Sequence, residues 1–297
     1  MSRRRRHAPA RSGPARSGPP REKVRDVFVP RPFKGLADEP DWVALRELVP
    51  AATSPLRLAP DVIDKYGERE VVLATVLPMA LPVLGRPDGR ILLGMQRNTQ
   101  SGDVSRDLGA ALEAALETDS GATVSVPALP GPGPRLQDLL ADGRLEITMR
   151  GDFGFWLDGV DEDPVTRASL ERADASVFPT VRLAAARAAY WCRLPAKAHV
   201  RWVLPEDEDP ALAALSRLAA AGGLSLGEGT RFAGMFRAHG LLVPVWDLPN
   251  SPEATDWEEP FGDFAGRYAR ALEVTGGLDP AERRARQGLL ARQLTLR

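Results

Sequence analysis

The sequence predicts an α+β fold of two similar mixed halves behind a disordered basic tail, and three observations lead there. Short apolar stretches of strand character are bounded by Gly and Pro, and apolar residues between them recur at helical spacing. The order strand, strand, helix, strand, hairpin, helix also reads twice along the chain. Internal duplication is one reading of that repetition and coincidence in a coarse pattern is the other. The expected divisions are a tail over 1–26, an extended segment and short helix over 27–60, a first half over 61–178, and a second half with a C-terminal helix over 179–297.

Residues 1–26 lack aromatic side chains and repeat Arg-Ser-Gly-Pro at 11–14 and 16–19. They carry too little apolar surface to offset the entropy of ordering, which predicts disorder. Val27, Phe28, Val29 and Phe33 then predict an extended segment laid on the body. Pro40 suits a first helical position, with Trp42, Leu45, Leu48 and Val49 at helical spacing behind it. Residues 50–60 read as a linker.

In the first half, 71–77 and 81–84 read as extended, Pro87-Asp88-Gly89 as a turn, and 91–95 as a returning strand. Val104, Leu108, Leu112 and Leu116 predict a helix after the capping candidates Ser101 and Asp103. Residues 124–126 read as a short strand, 136–140 as a short helix, and 145–149 with 154–157 as a hairpin. An acidic loop and a helix near 165–175 close this half. In the second half, 189–194 and 200–204 predict a hairpin, and Pro210 opens a helix with Leu212, Leu215, Leu218 and Ala219 on its buried side. Residues 224–226 parallel 124–126, and 231–237 pairs with 241–246 across His239-Gly240. Phe261, Phe264, Ala265, Tyr268 and Leu272 mark the next helix, and 280–294 the last.

Charge divides the chain more sharply than its near-neutral total suggests. Eight arginines and Lys23 face only Glu22 and Asp26 within residues 1–26, a net charge of +7, whereas the remaining 30 basic and 38 acidic groups leave the body at −8. A cationic leader on an anionic body predicts docking to a polyanion without naming it. Arg3, Arg4, Arg5, Arg6, Arg11 and Arg16 are the candidate nucleic-acid contacts, by phosphate neutralisation rather than base reading. The absence of interleaved aromatics argues against stacking on single strands. A merely solubilising tail is the alternative.

Several function classes find no support in the residues. Pro78 and Pro82 break the longest apolar stretch, so membrane insertion is not expected. Cys192 is the only cysteine, which excludes an internal disulfide and agrees with a reducing cytoplasm. Gly222 to Thr230 has the first spacing of a phosphate-binding loop but places Glu228 where the lysine must stand. Gly227, Gly229 and Gly234 miss the dinucleotide fingerprint. His199, His239 and Cys192 are too few for a zinc site, and the acidic run around Asp158, Asp161, Glu162 and Asp163 lacks the glycine of a calcium loop. No cofactor or metal is therefore expected. Glu228, Thr230, Arg231, Arg237, Trp246 and Asp247 form the best pocket candidate, with ion pairing and a core tryptophan as its structural explanation. A cleft between the halves is the default place for a ligand.

The stretches VFVPRPFKGLADEPDWVALRELVPAAT (27–53), SGDVSRDL (101–108), LPGPGPRLQDLL (129–140), AAYWCR (188–193), RWVLPEDED (201–209), GEGTRF (227–232) and RAHGLLVPVWDL (237–248) resemble an uncharacterised family of actinobacterial proteins. The resemblance covers nearly the whole body and implies no activity. The labels of SecA-type preprotein translocase or type II topoisomerase attached to some members do not fit these residues, since the Walker lysine loop and the cysteines of a zinc tail are missing. The expected function is a non-enzymatic cytoplasmic binding protein. Its body would hold a protein or small ligand, and its tail would associate weakly with nucleic acid or the ribosome. The alternative is an enzyme with Glu228 or Asp247 as acid or base and Arg231 for an anionic substrate.

Overall fold

Two five-stranded sheets with helices on their faces make up the computed structural model, which describes residues 25–158 and 164–292. In chain order the elements are α1 (Glu39–Glu47), β1 (Ala52–Leu56), α2 (Pro60–Tyr66), β2 (Val71–Ala74), β3 (Val83–Gly85), β4 (Ile91–Gly94), α3 (Val104–Leu116), α4 (Leu136–Leu139) and β5 (Thr148–Met149). There follow α5 (Pro164–Asp174), β6 (Thr180–Arg182), β7 (Ala189–Arg193), β8 (Ala198–Trp202), α6 (Glu208–Ala220), β9 (Arg231–Ala238), β10 (Leu241–Leu248), α7 (Glu258–Leu272) and α8 (Pro280–Leu290). The fold is thus α+β. No helix of the described residues is long and apolar enough to cross a membrane.

The first sheet runs β3-β4-β2-β1-β5, with β2 and β4 parallel and its other pairs antiparallel. The second runs β6-β7-β8-β10-β9 and is antiparallel throughout. The repeated sequence pattern therefore builds two different strand orders. The stretch expected as a linker holds β1, an interior strand of the first sheet. Ser54 and Pro55 hide it, because Pro cannot donate to a ladder. Here β5 pairs only with Ala52 and Thr53, so the ladder on that side stops before Pro55. The expected hairpin over 145–157 does not form either. β5 pairs with β1 instead, and 154–157 is a 3-10 turn held by Asp174, which accepts from the Phe153 N–H, and by Asp152, which accepts from the Gly154 N–H. Nor are 124–126 and 224–226 strands. At Ser225 the hydroxyl accepts from the Gly227 N–H, a local turn bond that competes with a sheet ladder.

Most other elements follow their side chains closely. α3 begins where Asp103 accepts from the Ser105 and Arg106 amides, satisfying N–H groups that the helix leaves unpaired. The β9–β10 turn has His239 at φ 46° and Gly240 at φ 82°, the left-handed pair that matches strand twist in a two-residue hairpin. One extra residue of β9 bulges at Ala233, with Gly234 at φ 145°, so that Phe232 rather than Ala233 stands opposite Trp246. That shift brings Phe232 to the face where its ring meets Trp246 at 5.5 Å, and it sets Arg231 opposite Asp247.

The two sheets share one core, and α1 lies inside it. Trp42, Val43, Ala44 and Leu45 of α1 join Leu73 and Leu93 of the first sheet with Tyr190, Phe236 and Val243 of the second in a single apolar cluster. The cleft expected between the halves is filled by this helix. Its buried charges are all engaged: Asp41 accepts from Tyr190 Oη at 2.8 Å and Arg182 at 2.7 Å, Glu47 meets His239 at 2.8 Å, and Arg46 donates to the Met95 carbonyl. Burial pushes Asp41 above the ordinary carboxylate range despite Arg182, and burial beside Asp41 pushes Tyr190 up as well. Residues 29–33 strap across the same junction. Val29 donates to the Gly102 carbonyl, Arg31 pairs with Glu39 and Asp207, and Phe33 stacks with Trp42 and meets His239 edge-on.

The far face of the second sheet is closed by α6, α7 and α8. Trp191, Val200, Trp202 and Trp246 pack there against Leu212, Leu215, Phe261, Phe264 and Leu289, with the Trp246 and Phe264 rings 4.8 Å apart. The far face of the first sheet is covered only in part. Phe153, Phe155 and Trp156 of the 3-10 turn, with Leu170 and Ala173 of α5, screen Ala74 and Leu92 and leave the rest open.

Candidate functional site

The open part of that face is a groove of about 240 Å³. Strand alternation assigns its floor. Thr53 pairs with Thr148 and Ala74, Pro55 with Val72, and Val72 with Leu92, so these side chains share one side of the sheet while Ala52, Ser54 and Leu56 turn to the core. Apolar Pro55, Val72 and Leu92 thus form a row across β1, β2 and β4 beside the directly paired Thr53 and Thr148. Arg86, Arg90, Arg150, Glu70, Phe155 and Asp158 make the walls.

Each guanidinium is positioned differently. Arg86 is only 5% exposed and donates to the carbonyls of Trp156 and Phe155. Burial and the neighbouring Arg90 pull its proton affinity down, and it stays charged because arginine starts so high. Arg90 closes the Pro-Asp-Gly turn, where the Gly89 N–H donates to the Arg86 carbonyl, and its own Nε donates to Asp88 at 2.8 Å. Arg150 is exposed, donates from Nε to Thr53 Oγ1 at 3.2 Å, and lies 6.0 Å from the Phe155 ring centre. Three cations thus line the groove against two exposed carboxylates, with Asp88 paired to Arg90; Arg86 hydrogen-bonds to neutral carbonyls while Asp158 and Asp88 act on it through space. Chemically the groove suits an anionic group.

The predicted pocket residues fall elsewhere and only some of them meet. Asp247 is shared by Arg231 at 2.6 Å, Lys197 at 2.7 Å and His199 at 3.2 Å. Burial alone would raise this carboxyl, but the hydrogen bonds from Lys197 and Arg231 outweigh it and hold it below its ordinary value. Arg237 instead pairs with Glu208 at 2.6 Å. Glu228 is exposed in a turn, Thr230 accepts from the Leu226 N–H, and Trp246, 0% exposed, donates to the Leu224 carbonyl. Arg3, Arg4, Arg5, Arg6, Arg11 and Arg16 lie outside the described residues, as do Asp161, Glu162 and Asp163.

Register also places Cys192, His199 and Asp247 on one side of β7, β8 and β10. Burial pushes the Cys192 thiol up, and burial with Arg201 pulls His199 down. A neutral thiol beside a neutral imidazole lacks the thiolate that a cysteine nucleophile needs. Among the described residues, no group of three or more His, Cys, Asp or Glu is arranged to hold a metal ion. The groove itself was missed because its floor needs β1. Its signal in the sequence is the pair of arginines flanking Pro87-Asp88-Gly89, with Arg150 just after β5.

A family model described as a family of unknown function (DUF5926) matches residues 32–297. No curated protein and no solved structure matches the chain.

Proposed function

The chain belongs to that family of unknown function, and we propose that it is a cytoplasmic binding protein, not an enzyme, that recognises anionic partners. The folded body takes an anionic group in the groove of the first sheet, and the basic leader adds electrostatic attraction to RNA, DNA or the ribosome. The observation that carries this reading is the set of three arginines on an open sheet face, one of them nearly buried with carbonyls for partners. Guanidinium groups held in fixed positions match planar or tetrahedral oxyanions better than lysines do. The leader's net charge supports the second part, because each phosphate it neutralises releases counterions.

Two titrations on the full chain test the two parts separately. Filter binding to RNA and to DNA should weaken as salt rises, with a shallower slope when Arg3 to Arg6 are replaced by Ser. Binding of inorganic phosphate to the body should not change in that variant. Salt-independent RNA binding equal in both forms would eliminate the leader's role, and the absence of any anion binding by the body would eliminate the groove's.

A further inference from the structure

We infer that the groove's occupant is a phosphate monoester carried on a polyol, the phosphoryl group meeting Arg86 and Arg150 and the hydroxyls meeting Glu70 and Asp158. The inference rests on the anion-binding reading above and narrows it. Size is the first constraint. The groove, about 240 Å³, has room for one small ligand.

Charge is the second. Arg90 already has Asp88 at 2.8 Å, whereas Arg86 bonds to carbonyls and Arg150 to the Thr53 hydroxyl. Arg86 feels Asp158 and Asp88 through space, but neither it nor Arg150 has a carboxylate hydrogen-bonded to it, so both can donate to an anionic oxygen, and a dianionic phosphate ester gains more from the pair than a singly charged carboxylate or sulfate. The Thr53 and Thr148 hydroxyls sit on the same floor and donate to phosphate oxygens.

The remaining lining selects the rest of the ligand. Glu70 and Asp158 line the same groove and are acceptor-only groups when ionised, so they call for donors on the ligand body. A bare apolar tail would offer neither of them a donor, and a second anion would be repelled. Pro55, Val72 and Leu92 offer an apolar strip beside the paired threonines, which suits the C–H face of a sugar. Anion anchor, hydroxyl acceptors and C–H floor occur together in a sugar phosphate.

Calorimetric titration of the full chain with glucose 6-phosphate, glucose 6-sulfate, glucose and inorganic phosphate decides the matter. Glucose 6-phosphate should bind roughly tenfold tighter than the sulfate, which has the same shape and one charge fewer, and tighter than either half alone. Arg150→Gln, at an exposed position, should weaken glucose 6-phosphate by about tenfold. Glu70→Ala should weaken it by about threefold and leave inorganic phosphate unchanged. Equal binding of phosphate and sulfate esters, or free phosphate binding as tightly as glucose 6-phosphate, would overturn the inference while leaving an anion-binding groove. Failure of all the anions to bind would remove both.

Discussion

The two sheets are covered differently, and that difference separates scaffold from site. The second sheet is sealed on one side by α6, α7 and α8 over Trp191, Trp202 and Trp246, and packs on the other against α1 and the shared core. The first shares that core through one face, but its other face has only a 3-10 turn and α5 as a screen and ends in an arginine-lined groove. Aromatic packing at ring distances near 5 Å fixes geometry and leaves no room for a ligand. A half-screened face with charged walls can accept one. Polar residues gather on both sheets, yet on the second they are spent on one another, as around Asp247.

Substitutions should reproduce this contrast. Trp246→Ala, in the sealed layer, should cost ~3–5 kcal/mol of unfolding free energy in urea titrations, through lost burial and an unfilled cavity. A loss below about 1 kcal/mol would show that the second sheet is not the rigid part. Tyr190→Phe at the junction should cost ~1.5–3 kcal/mol, since Asp41 loses a donor while remaining buried. Arg150→Gln should change unfolding by no more than ~0.5 kcal/mol, because the side chain is exposed. A large loss there would blur the distinction drawn between the sheets.

The smallest effect is a pH dependence belonging to the second sheet. Burial, with Arg201, lowers His199 in the folded state, so the unfolded chain takes up a proton first as pH falls. Its contribution is therefore fully present above the unfolded value of about 6.5 and is lost as pH drops from there toward the lowered native value. Thermal melting from pH 7.5 to 5 should show a steeper decline for the native chain than for His199→Gln. Parallel curves would mean that His199 is not buried as described.

The sequence made the long, periodic elements legible and hid those made by context. α3, α6 and α7 declare themselves through apolar residues three and four apart, and the β9–β10 hairpin through His239-Gly240. β1 does not, because Ser54 and Pro55 contradict strand preference and only the neighbouring β2 and β5 make it a strand. With β1 read as a linker, Thr53 and Thr148 had no reason to be neighbours, and the groove could not be assembled. Of the pocket candidates, Arg231 and Asp247 face each other across adjacent strands, a neighbourhood that hairpin pairing makes legible, whereas the partner of Arg237 is Glu208 on a helix, which strand pattern does not reveal.

Helix α1 has a consequence for anyone dividing this chain. It precedes both sheets in sequence, yet its tryptophan and leucine fill the space between them and its aspartate accepts from the second sheet's tyrosine. A fragment beginning at residue 179 would leave Tyr190, Phe236 and Val243 exposed to water, and one ending at 178 would present Trp42 and Leu45 to solvent. The two expected halves share one core through α1, and fragments cut between them should aggregate instead of folding alone.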